Sequence, residues 1–287
     1  MNSFDIELAT LVDAALKEDV GSGDHSTLSC IPSSKQGKAI LKIKEEGILA
    51  GVEVAKKIFN LIEPGCEFVA QKKDGDKMQV GDIAFEITAS VHTILKGERL
   101  VLNCMQRMSG IATLTNRYTQ LLKGYHTRLL DTRKTTPNFR LLEKEAVKIG
   151  GGINHRFGLY DMIMLKDNHI DYCGGIIEAI NQAYAYSIQL EQPLKIEVET
   201  RNLADVQLVC NQALNKVDRI MLDNFSPEEV SQALAIIQAR VETEASGGIN
   251  LTTIESFAKT GVDFVSVGGL IHQAQSLDLS LKASFVK

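Results

Sequence analysis

Lys195-Ile-Glu-Val-Glu-Thr200 and, after a helical interval, Arg219-Ile-Met-Leu-Asp-Asn224 decide the fold. Residues Lys195–Val198 and Arg219–Leu222 are short apolar-rich runs that end in carboxylates, and they read as two strands joined by a covering helix. Side chains alternate along a strand, so only one of the sets Ile196/Val198 and Glu197/Glu199 can face the helices. The two glutamates therefore share the interior or mouth side. Four more runs of this kind flank the pair: Thr127–Leu130, Met162–Leu165, Val241–Ala245 and Phe264–Val267. Six strands alternating with helical stretches predict a parallel sheet covered by helices, in an incomplete α/β barrel of six or seven strands. A doubly wound dinucleotide fold is disfavoured, because Gly21-Ser-Gly23-Asp24 lacks both the preceding strand and the final glycine.

Upstream the rhythm changes. Lys38–Lys44 and Asp82–Thr88 alternate apolar and polar residues around turn signals at Asp74–Asp76 and Gly81–Asp82, and Val52–Ile62 has helical spacing. This predicts an N-terminal α+β open sandwich domain over 1–105 and an α/β-barrel catalytic domain over 106–274, with the tail 275–287 available to pack back on the former. A long helix is expected over Ile94–Lys123.

The 287 residues include 31 basic and 36 acidic side chains, a net charge of −5, so no global positive field exists to hold nucleic acid or an anionic membrane. Any anion site must be a local cluster. The five cysteines form no close pairs and read as free thiols, and no run approaches a membrane span. An acidic N-terminus without a basic-apolar leader predicts the cytoplasm.

The strand ends carry the chemistry. They read Asp131-Thr-Arg133-Lys134, Lys166-Asp-Asn-His169, Glu199, Asp223-Asn224, Ser246-Gly-Gly248 and Gly268-Gly269. In parallel barrels ligands sit at the carboxyl ends of strands. Arg133, Lys134, His155, Arg156 and Lys166 would make a cationic pocket for a small polyanion, since guanidinium groups grip carboxylates and phosphates through paired hydrogen bonds. Glu199 and Asp223, on adjacent strand ends, suit Mg²⁺ shared with ligand phosphates, directly or through water. Ser246, Gly247, Gly248, Gly268 and Gly269 stand where barrels cradle phosphate with backbone N–H groups. No elbow nucleophile and no His-Glu-x-x-His are present, so electrostatic positioning must carry catalysis.

These motifs, with Leu141-Leu-Glu-Lys144, Gly150-Gly-Gly-Ile-Asn-His-Arg156, Gln106-Arg-Met-Ser-Gly-Ile-Ala112 and Glu244-Ala-Ser-Gly-Gly-Ile249, make the chain similar to the quinolinate phosphoribosyltransferases over nearly its whole length. The resemblance implies a Mg²⁺-dependent pentosyltransferase without an organic cofactor. Such an enzyme makes nicotinate mononucleotide, pyrophosphate and CO2 from quinolinate and 5-phosphoribosyl 1-pyrophosphate (PRPP) in NAD biosynthesis. It implies that Arg133, His155, Arg156 and Lys166 surround quinolinate, that Lys134, Glu199 and Asp223 are catalytic and serve PRPP, and that the serine and glycines bind its 5′-phosphate. It further implies a homodimer in which Arg107 reaches the neighbouring subunit's quinolinate, with higher assembly left open. Asn138, Ile153 and Gln273 depart from the family pattern without removing a charge. The alternatives are a paralogue acting on another heterocycle, a Schiff-base aldolase using Lys166, and a silent anion-binding protein.

Overall fold

The structure, a computed structural model, describes residues 3–284. Its elements begin with α1 (Ser3–Val20), α2 (His25–Cys30), β1 (Gln36–Ile43), β2 (Gly47–Ile48), α3 (Val52–Ile62), β3 (Glu67–Ala70), β4 (Lys77–Met78) and β5 (Ile83–Ser90). There follow α4 (Val91–Leu121), β6 (Arg128–Leu130), α5 (Arg140–Ile149), β7 (Ile163–Leu165), α6 (Asp167–Cys173), α7 (Ile176–Ser187), β8 (Ile196–Thr200) and α8 (Leu203–Gln212). The last are β9 (Arg219–Asp223), α9 (Pro227–Ile237), β10 (Glu242–Ser246), α10 (Ile254–Ala258), β11 (Phe264–Ser266), α11 (Gly269–His272) and β12 (Leu279–Ser284). No helix among the described residues is long and apolar enough to cross a membrane.

The chain divides into two compact units. The first gathers the segment ending at Asn116, the segment Thr135–Gly151 and the segment beginning at Leu270. Its antiparallel sheet has the order β12-β1-β5-β3. Alternation in β1 buries Ala39, Leu41 and Ile43, and Leu41 is registered with Leu281 on one side and Phe85 on the other. Phe85 stacks on Phe68 at 4.4 Å and meets Phe59 of α3 edge-on at 6.3 Å, which fixes that helix on the sheet through its buried face Val52, Ala55, Ile58 and Phe59. Within α4, Gly110 is required by packing, because a Cβ there would overlap the Gln275 carbonyl. Two hydrogen bonds draw the C-terminal segment onto α4 here: Gln106 Nε2 donates to the Leu279 carbonyl, and the Leu277 N–H donates to the Gln106 carbonyl. Thr135–Gly151, expected in the barrel domain, clusters with this unit because α5 buries Leu142, Ala146 and Val147 and sends its wholly buried Glu143 to Arg107 of α4.

The second unit holds the parallel sheet β6-β11-β10-β9-β8-β7. Strands β7 to β11 pair in sequence order and β6 pairs with the last, β11, so the order is cyclic. Among the described strands β6 and β7 do not pair; Ile153 bridges to Leu130 at that edge instead. This is a six-stranded barrel left open, as the alternation predicts. Register puts Ile196, Val198, Ile220, Leu222, Ala245 and Val265 on one face, a continuous apolar surface for covering helices. The other face carries Glu197, Glu199, Arg219, Asp223, Glu244 and Ser246, a polar column inside the barrel. α9 starts sharply: Ser226 and Glu229 form a reciprocal capping box and Pro227 occupies the first turn.

Candidate active site

At the strand ends of the second unit, three side chains from neighbouring strands meet. Lys166, just past β7, places Nζ 2.8 Å from Glu199 Oε2 on β8. Asp223 ends β9. Its pKa is raised by burial and by the charge of Glu199, opposed by Lys166 and by a bond from Ser246 at the end of β10. Two carboxylates that repel each other beside a single ammonium leave negative charge uncompensated. That hard-oxygen donor set is of a kind that fits Mg²⁺, which Glu199 and Asp223 could hold.

The loop after Asp223 is locked to β10. The Asn224 N–H donates to the Ser246 carbonyl at 2.8 Å, and its amide donates to Asp223 Oδ2 at 2.6 Å. Gly247 adopts φ 93°, and a Cβ there would overlap Asn224 Oδ1, so glycine is required twice over. Gly248 (φ 66°) follows, and Gly268–Gly269 follow β11.

The cations sit on the chain's other approaches. Arg133 is half-buried after β6, and its Nε has no hydrogen-bond partner; such an orphaned buried donor awaits a ligand oxygen. Arg156 donates to the Met162 carbonyl at 3.3 Å; burial, then the neighbouring Arg133 charge, lowers its pKa. Two guanidiniums repelling one another are stabilised by a shared anion. Lys134 is exposed, with its N–H on Thr132 Oγ1 at 3.1 Å.

His155 is buried deeper. The wholly buried Asp131 accepts its N–H at 2.8 Å, and Nε2 lies 2.9 Å from Glu197 Oε2 and 3.2 Å from Glu244 Oε2. Burial alone would lower its pKa; the two carboxylates outweigh burial and raise it to about 9. The Arg156 N–H, 2.6 Å from Nδ1, favours the uncharged ring, but one amide dipole is weaker than two carboxylate charges in a dry interior. Burial and Glu244 in turn raise Glu197 to about 7. Arg219 balances the pair, 3.1 Å from Glu244 and 3.8 Å from Glu197, with its guanidinium over Phe264 at 4.1 Å.

The structure thus brings together Lys166, Glu199, Asp223 and Ser246, and sets Arg133 beside Arg156. Arg107 lies in the first unit. Its guanidinium donates twice to Glu143 (3.0 and 2.9 Å), and to the carbonyls of Ala274 (2.7 Å) and Ile271 (2.8 Å), all within its own chain. Asn138 has φ 61°, a left-handed conformation that asparagine tolerates. Sequence reading passes over Asp131, Arg219 and Glu244. Parity was the available signal for Glu244, an acid in mid-strand on the same face as Glu197.

Comparison with known proteins agrees with this layout. Residues 24–109 match the model of the quinolinate phosphoribosyl transferase N-terminal domain, and residues 111–282 that of the C-terminal domain. The chain is 40% identical over 279 residues to a probable nicotinate-nucleotide pyrophosphorylase (carboxylating) of Bacillus subtilis, covering 96% of this chain and 93% of that one. It is 41% identical over 289 residues to the chloroplastic nicotinate-nucleotide pyrophosphorylase of Arabidopsis thaliana, covering 96% and 82%. Among solved structures, NadC from Streptococcus pyogenes superposes with a TM-score of 0.91 at 42% identity over the whole of both chains. The Francisella tularensis nicotinate-nucleotide pyrophosphorylase gives 0.87 at 38% identity, covering 98% and 97%. The chain belongs to the quinolinate phosphoribosyltransferase family.

Proposed function

We propose that the chain transfers the phosphoribosyl group of PRPP to quinolinate with decarboxylation, and that its site residues are those of the barrel mouth. The observation that carries this reading is the division of charge in the second unit. Arg133 and Arg156 repel one another with a donor unfilled, while Glu199 and Asp223 repel one another one strand apart. A pyridine dicarboxylate answers the first need, and a divalent cation on a ribosyl pyrophosphate answers the second.

In this reading Arg133, Arg156 and Lys166 bind the two quinolinate carboxylates and hold the ring nitrogen in line with the anomeric carbon, while His155 serves the same pocket by accepting the Arg156 N–H on Nδ1. The nitrogen lone pair forms the N–C bond as the C–O bond to pyrophosphate breaks, and the oxygen leaves with the electron pair, its charge met by Lys134. Mg²⁺, held by Glu199 and Asp223, supplies electrostatic stabilisation of phosphate oxygens when bound. Ser246, Gly247, Gly248, Gly268 and Gly269 receive the 5′-phosphate. Decarboxylation follows on the ribosylated ring: the C–CO2 bond breaks, its electron pair flows toward the cationic nitrogen, and a solvent proton takes the vacated carbon. The ring is the electron sink, so the proposal needs no organic cofactor.

The ion pair of Lys166 with Glu199 favours this over a Schiff-base aldolase, whose lysine must be a free amine. A cytoplasmic homodimer is part of the proposal, resting on the resemblance. The bonds of Arg107 to Glu143 and Ile271 hold its guanidinium in a fixed place, and its delivery to the neighbouring subunit's quinolinate is part of the same proposal. The deciding experiment is release of labelled CO2 from carboxyl-labelled quinolinate. Release is expected only with PRPP and Mg²⁺ together; release with nicotinate ribosylation absent, or none at all, rejects the reading.

A further inference from the structure

In the interior of the second unit lies a buried set of charges that the proposed chemistry does not use. Glu197 on β8 and Glu244 on β10 are both wholly buried, although β9 separates their strands. Their oxygens converge on one atom, Nε2 of His155, at 2.9 and 3.2 Å. Arg219 on the intervening strand reaches Glu244 at 3.1 Å and the exposed Glu242 at 3.0 Å. Asp131, from the end of β6, holds the His155 backbone at 2.8 Å.

One carboxylate is enough to accept the single proton of Nε2. Burying a second acid, with an arginine to balance it, costs more than apolar side chains of the same volume would. The second acid on β10 and its arginine on β9 are therefore surplus to folding, but together with Glu197 on β8 they are what is needed to hold an imidazole plane in one orientation. The ring stands next in sequence to Arg156, so its direction matters to whatever that arginine grips.

We propose that Glu244 is a positioning residue of the quinolinate site, acting through His155: with Glu197 it clamps Nε2 from two sides, and Arg219 fixes the clamp. This inference rests on the proposed role of His155 in the quinolinate site, where its Nδ1 accepts the Arg156 N–H. The chemistry of the reaction passes through neither Glu244 nor Arg219. Their effect is on where the ring points, and so on how well a carboxylate of the pyridine acid is met.

The test compares wild-type protein with Glu244→Gln, which keeps the shape and removes the charge. Losing one of the two carboxylate charges that lie 2.9 and 3.2 Å from Nε2 is expected to raise KM for quinolinate on the order of 10- to 100-fold. KM for PRPP should stay within about twofold, since its proposed ligands are not altered. In the ligand-free protein, the slowly exchanging imidazole N–H proton resonance of His155, assigned by its loss in His155→Gln, should move in Glu244→Gln. A folded Glu244→Gln protein with unchanged quinolinate KM and an unmoved resonance overturns the proposal. Should that variant not fold, Arg219→Lys, which loosens Glu244 without removing it, should raise the same KM severalfold, and an unchanged KM there also overturns it. If the wild-type protein does not use quinolinate, the functional reading falls, while the resonance still decides whether Glu244 clamps the ring.

Discussion

Arg107 and Arg133 show how differently two arginines of one motif set can be used. Arg107 spends its donors on Glu143 and two carbonyls, whereas Arg133 keeps a buried Nε without a partner. Arg107→Ala takes the guanidinium from a fully buried carboxylate and leaves it only its hydrogen bonds from Thr136 among those described, and the expected loss is up to about 3–5 kcal/mol of stability. Arg133→Ala removes a ligand contact instead: kcat/KM for quinolinate should fall about 10²-fold or more with little change in Tm. Thermal melts beside steady-state kinetics separate the two, and an unchanged Tm for Arg107→Ala would count against its structural role. His155 adds a pH dependence. Below about pH 6.5 the ring is charged in folded and unfolded chains alike, so its pairing with Glu244, whose own pKa is lowered by His155, counts in full. As pH rises toward about 9 the unfolded chain has lost the proton while the folded one still holds it, and the stabilisation drains away. The Tm advantage of wild type over His155→Gln should therefore shrink between these limits; an advantage that grows contradicts the assignment.

At the scale of elements, tolerance is set by close approach. Gly110 lies on α4 where the Gln275 carbonyl comes too near for any side chain, so Gly110→Ala must push helix and C-terminal segment apart. Helix propensity alone would make the substitution favourable by about 1 kcal/mol. Overpacking against backbone should reverse the sign, to a loss of about 1–3 kcal/mol, readable by chemical denaturation. The same scale shows what was legible beforehand. The six barrel strands were readable because each is a short apolar-rich run set between helical stretches, and α3 because Val52, Ala55, Ile58 and Phe59 keep helical spacing. Strand β12 was not: Leu279-Ser-Leu-Lys-Ala-Ser284 alternates, but nothing local says that its partner is β1, more than two hundred positions earlier.

For the molecule as a whole, the candidate site was legible where chemistry sits at strand ends, as at Lys166, Glu199 and Asp223, because topology then brings neighbours together without further information. It was illegible one layer down. Glu244 and Arg219 gain meaning only when register aligns β9 with both β8 and β10, a fact that no single strand encodes. The registry of β12 on β1 has a further outcome during synthesis. The ribosome will have released everything through β11 before residues 279–284 can join the sheet that β1 began, so until then one flank of β1 has no partner strand. A nascent chain in that state exposes a ready edge to other chains, and its vulnerable period lasts until translation reaches the closing strand.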